Sequence, residues 1–108
     1  MSELIEMEKA ADQLKDQGKN EEAIAAYLAI LEKDEKFVRA HLALAVVYER
    51  AGDFERSVFH GEKACEIEPE DHFNFMALSI TYQRAFEGTR DQAFIQKAED
   101  AKARAAMG

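Results

Sequence analysis

One thiol and three imidazoles, Cys65, His41, His60 and His72, are the side chains in this chain best suited to nucleophilic or metal chemistry. A reactive thiol needs a cationic neighbour to lower its pKa, and only Lys63 lies close to Cys65 in sequence. Ala64 and Ile67 beside it suit a small core residue instead. No two histidines stand at i, i+4, the spacing that would put a pair on one helix face for a metal. His41 and His60 read as packing or surface residues, and His72 falls near a helix start. The acidic runs "EKDEK" and "EIEPED" lack the alternating Asp or Asn, the Gly and the distant Glu of a calcium loop. They read as solvated charge at helix ends. No glycine-rich phosphate loop or nucleophile elbow occurs. With no nucleophile, base and oxyanion site to combine, the expectation is a protein that is not an enzyme and needs no metal or cofactor.

Charge narrows the partner. The net charge of -8 at pH 7 opposes nucleic acid or an anionic membrane as the main partner. No run of about 18 apolar residues is present to span a bilayer. The acidic start "MSELIEMEKA" lacks the basic and apolar regions of a secretory signal. A single Cys excludes an internal disulfide and fits a reducing compartment. The expectation is a cytoplasmic protein with a protein or peptide partner.

The elements that position these groups are helices. One Pro, five Gly and a 47% apolar, 33% charged balance, without strand-like alternation, read as an all-α globular chain. "YERAGDFERS" holds a Gly-Asp pair between two helical segments. Gly52 tolerates the left-handed conformation that ends a helix, and Asp53 can cap the next. Helices joined this tightly pack antiparallel. Gly18 in "LKDQGKNEEA" precedes Gly52 by 34 residues, with Asn20 as its expected cap. Leu14 and Tyr48, Ala11 and Ala45, Tyr48 and Tyr82, and Leu44 and Leu78 share that offset. Six helices follow, near 3–17, 20–33, 37–51, 54–68, 72–86 and 90–106. Asp71 is expected to cap the fifth, and Thr89 with Gln92 to form a capping box for the sixth.

A period of 34 in helical hairpins resembles the tetratricopeptide repeat. In the middle unit Leu44, Ala45 and Tyr48 match the first helix of that pattern, "AGDFERS" its turn, and Ala64 and Pro69 its second half. His41, Ser57 and Gly61 depart from it, Gly61 standing where a bulky ring is usual. The first unit keeps Gly18, Ala23 and Tyr27. The third keeps Phe75, Leu78 and Tyr82 but replaces Gly-Asp with "FEGTRDQA". The resemblance implies an all-α, right-handed superhelix of three hairpins forming a single domain over 1–108, with units near 4–37, 38–71 and 72–106.

Two apolar stripes run along the third helix: Phe37, Ala40, Leu44 and Tyr48 toward its hairpin partner, and Val38, Leu42 and Val46, continued by Arg50. On the fifth, Phe73, Met76 and Ile80, ending in Arg84, repeat the second stripe. The resemblance places such stripes on a concave groove, with Ile5, Glu8, Asp12, Lys15 and Asp16 facing inward from the first unit. It implies a peptide or amphipathic helix held by Leu42, Val46, Phe73, Met76 and Ile80 and oriented by Arg39, Arg50 and Arg84. Packing between neighbouring units is the other use for the same stripe.

Some family members clamp a carboxylate through Lys, Asn and Arg. Glu8, Asp12, Ala43, Phe73 and Ala77 at the matching positions cannot do so. Two alternatives stay open: a scaffold that self-associates into a homo-oligomer through these surfaces, and a secretion-type chaperone shielding a hydrophobic segment. The face Phe94, Ala98, Ala101 and Ala105 of the last helix fits either the fifth helix or a second copy.

Overall fold

The computed structural model describes residues 2–107 and, among them, no strand. Its helices are α1 (Ser2–Asp16), α2 (Asn20–Lys33), α3 (Val38–Arg50), α4 (Phe54–Ile67), α5 (His72–Thr89) and α6 (Ala93–Ala106). They pair as hairpins α1/α2, α3/α4 and α5/α6, and each hairpin stacks on the next through α2 with α3 and α4 with α5.

The first two turns share one mechanism. Gly18 and Gly52 take φ of 76° and 84°. The Gly18 N–H donates to the Lys15 carbonyl and the Lys19 N–H to that of Leu14. Gly52 and Asp53 repeat this with Glu49 and Tyr48. These paired bonds close a helix end around a left-handed residue. They also make the residue after the glycine the cap of the next helix. In the second turn that residue is Asp53, whose carboxylate accepts the Arg56 N–H at 3.1 Å. In the first it is Lys19, which has no capping side chain. Asn20 therefore comes one residue too late to cap. It is the first residue of α2, and its buried Oδ1 has no partner among the described residues.

The third hairpin departs further. α5 runs on to Thr89 and α6 begins at Ala93, so the expected Thr89–Gln92 capping box does not form. The Thr89 hydroxyl instead donates to the Ala85 carbonyl at 2.7 Å and accepts the Asp91 N–H at 3.1 Å. Arg90 takes the left-handed position, with φ 62°. Asp91 receives the Ala93 N–H at 3.0 Å, doing the work expected of Thr89. Gly88 is thus no turn residue. It lies inside α5 beneath the Phe54 ring, where a Cβ would come within 2.2 Å of the ring's Cζ. Asp71 caps α5 as expected, accepting the Phe73 N–H at 2.9 Å.

Two apolar cores hold the stack together. The first joins α1, α2 and α3 through residues such as Ala11, Tyr27, Ile30, Leu44 and Val47. The second joins α4, α5 and α6 through Cys65, Leu78, Tyr82, Ala98 and Ala101. Between them, α3 packs closely on α4, and polar contacts join the ring and aliphatic ones there: the Ser57 hydroxyl donates to the Ala45 carbonyl at 2.6 Å, and His41 touches His60. Cys65 is the small core residue expected, its thiol pushed up to about 11 by burial. Ala98 and Ala101 are buried against α5, so that face is used within the chain. No described helix is long and apolar enough to cross a membrane.

Candidate functional site

α3 and α5 are first helices of successive hairpins and lie side by side. Their exposed ridges bound an open trough. Leu42, Val46 and Arg50 recur at i, i+4 on α3 and form one wall; Phe73, Ile80 and Arg84 of α5 form the other. Ala45, Leu78 and Gly61 of α4 lie between these walls, and the cleft they enclose measures about 580 Å³. A bulky ring at position 61 would occupy this floor. Even a Cβ there would press on Leu78 Cδ1 at 3.1 Å. A second cleft of about 560 Å³ shares Leu42 and Phe73 with the first and continues to Leu4, Val38 and Arg39. The first cleft runs from Leu42 and Phe73 to Arg50 and Arg84, and the second takes in the N-terminal ends of both helices. The two helices therefore run in the same direction along one continuous trough.

Six of the eight residues singled out from the sequence, Leu42, Val46, Arg50, Phe73, Ile80 and Arg84, line the first cleft, and Arg39 lines the second. Met76 is exposed but lines neither. Phe73 is 68% exposed, Ile80 49%, Met76 44% and Val46 40%, while Leu42 is half-buried. Packing between hairpins leaves most of this stripe open. Burying such side chains is worth about 25 cal/mol per Å² of apolar surface, so an uncovered row of them favours a partner.

The polar groups sort differently from the sequence expectation. Arg39 donates from Nε and Nη2 to Glu8 at 2.7 and 2.9 Å. Those hydrogen bonds hold the Glu8 carboxyl below the usual carboxylate range. Asp12 accepts the Tyr27 hydroxyl. Burial first, and then that bond, raise the Tyr27 pKa. The acid of the first hairpin is therefore partly engaged within the chain, and so is Arg39. Arg50 makes no ion pair among the described residues, and Arg84 reaches only Glu87, at 3.4 Å. Glu49 lines the same cleft.

Away from the trough, the structure joins two histidines that sequence spacing keeps apart. His41 Nδ1 lies 3.0 Å from His60 Nδ1, and His41 Nε2 lies 2.9 Å from the Glu35 carbonyl. A carbonyl can only accept, so His41 carries its proton on Nε2 and presents a bare Nδ1; His60 must then donate from its own Nδ1. The His60 ring stacks on Tyr48 at 5.6 Å and meets Phe59 edge-on at 5.0 Å. Burial, then the neighbouring His41, push its pKa down to about 4. Positions roughly equidistant from Gly52 face each other in an antiparallel hairpin, and that symmetry was the signal available in the sequence. Among the described residues no three His, Cys, Asp or Glu side chains converge as metal ligands would.

Stacked antiparallel hairpins with an apolar trough between their first helices define a helical-repeat protein. A family model described as tetratricopeptide repeat matches residues 8–72. The chain belongs to the tetratricopeptide repeat family, whose members generally serve as protein-interaction modules. No curated protein matches the chain.

Proposed function

We propose that this protein is a non-catalytic interaction module that holds a segment of a protein partner in the α3/α5 trough. Leu42, Val46, Phe73 and Ile80 supply the apolar contact, with Met76 exposed beside them; Arg50 and Arg84 orient the ligand, while Arg39 is held by Glu8. The observation that carries this reading is the exposure of Val46, Phe73, Met76 and Ile80 together on the two first helices. A carboxylate clamp is disfavoured, because Glu8, Asp12, Ala43, Phe73 and Ala77 offer two acids and three apolar groups where an anion needs donors.

The test is affinity capture from the native host with the wild type, Ile80→Glu and Leu42→Glu. A buried carboxylate in an apolar interface is costly, so both variants lose the partner while keeping a helical circular dichroism spectrum. Equal capture by all three proteins refutes the groove. Light scattering on the same samples reads self-association through that surface.

A further inference from the structure

We infer that the occupant of the trough is a short amphipathic helix, about three turns long, lying antiparallel to α3 and α5 with carboxylates in its first turn against Arg50 and Arg84. This rests on the groove reading above and adds the ligand's conformation, length and polarity.

The conformation follows from what the trough cannot do. Every wall is a helix whose backbone groups pair internally. Among the side chains lining the first cleft, only Glu49, Arg50, Thr81 and Arg84 carry hydrogen-bonding groups. The Thr81 hydroxyl already donates to the Ala77 carbonyl at 3.1 Å. An extended peptide pressed on Leu42, Val46 and Ile80 would keep water on its outer edge, but its groove-facing N–H and C=O groups would find few partners, at about 1–3 kcal/mol for each one buried. A helix satisfies its backbone internally and can lay one apolar ridge between the ridges of α3 and α5.

The length follows from α3. Its 13 residues from Val38 to Arg50 span about 18 Å at 1.5 Å per residue, room for about 12 residues of bound helix.

The polarity follows from the charges at the two ends. In a chain of net charge -8, one end of the trough presents Arg50 and Arg84 with Glu49 as the one acid in the cleft lining, Arg84 reaching Glu87 only at 3.4 Å, with both side chains exposed. The other end presents Asp34, Glu68 and Asp71 against Lys36 and an Arg39 already held by Glu8. The arginine end is also where α3 stops and where the later turns of α5 lie. An antiparallel ligand places its N-terminus there, where its dipole opposes theirs. Carboxylates in its first turn then stabilise the ligand helix and meet both guanidiniums.

Fluorescence anisotropy on the full chain tests this with three labelled peptides of about 14 residues, each with leucines at i, i+3, i+4 and i+7. The first has glutamates in its first turn and lysines in its last. The second exchanges those charges. The third is the first with a central proline. The expected result is that the first binds about tenfold tighter than the second. Added salt narrows that gap, and the proline costs about a hundredfold. Arg50→Glu with Arg84→Glu inverts the order of the first two peptides; both side chains are exposed, so the core is untouched. Equal binding of the first two, or undiminished binding of the proline peptide, overturns the inference. If Ile80→Glu still abolishes that binding, the groove reading survives alone. If no peptide binds and the chain forms a dimer that Ile80→Glu dissolves, a second copy fills the trough and the inference falls. If no peptide binds and the chain is monomeric, both readings fall.

Discussion

His41 and His60 share a single proton between their Nδ1 atoms, 3.0 Å apart and both buried. Charging His41 would place a second proton in that gap, and charging His60 would add one at its Nε2; either charge would sit in a site already shielded from water. The groups that act on the pair are the Glu35 carbonyl and Lys63 at His41, and the rings of Tyr48 and Phe59 at His60.

Stability should therefore depend on pH above the carboxylate range. His60 has its folded pKa lowered from 6.5 to about 4, and His41 is lowered in the same direction by burial. Between those pH values the unfolded chain binds more protons than the folded one, so stability rises with pH through the window. It is complete above about pH 6.5 and falls as pH drops toward 4, by at most about 3 kcal/mol for a shift of this size. Urea midpoints at pH 7 and pH 5 measure it. His60→Asn keeps a donor for His41 without titrating, and should cut the slope by more than half. An unchanged slope in that variant removes the histidine pair from the account.

Gly88 and Phe54 should show an inversion of sign. An alanine in a helix interior normally gains about 1 kcal/mol over glycine. At position 88 the new methyl would meet three atoms of the Phe54 ring, the nearest at 2.2 Å. Displacing the ring costs about 1–3 kcal/mol. Gly88→Ala should thus destabilise the wild type by about 1 kcal/mol and stabilise a Phe54→Ala background by a similar amount. Denaturation of the four proteins gives the coupling; additive effects would show that the ring does not hold Gly88.

Arg90 is the described non-glycine residue with positive φ, at 62°. A left-handed conformation costs an L-residue about 1–2 kcal/mol. Glycine avoids that cost but gives up the guanidinium stacked over Phe86 at 5.5 Å, worth about 0.5–1 kcal/mol at an exposed site. Arg90→Gly should therefore raise stability by up to about 1 kcal/mol. Arg90→Ala, which loses the stacking and keeps the strain, should lower it. Thermal midpoints of the two variants decide the matter.

Much of the architecture was legible because a left-handed glycine and its flanking apolar residues must recur wherever the same hairpin is built. Gly18, Gly52 and Asp53 carried that signal locally. Asn20 misled because a good capping side chain means little when hydrogen bonds place the cap one residue earlier, at Lys19. The end of α5 misled for a different reason. Gly88 resembles a turn residue in sequence, and only the approach of Phe54 from another helix shows why a glycine stands there. In the trough, helical spacing aligned Leu42, Val46 and Arg50. Which charges remain open depended on partners a repeat or more away, as with Glu8 and Arg39.

The two apolar cores share no residue, and the division between them runs through the α3/α4 hairpin, where Ser57, His41 and His60 meet across the gap. The sequence repeats in hairpins, but the oily interior is parcelled out in triplets of helices. α3 and α4 still pack closely at this division, so what changes there is the kind of side chain that fills the contact. Amide exchange should resolve α1–α3 and α4–α6 as separately opening blocks, so that the unit of inheritance and the unit of melting do not coincide.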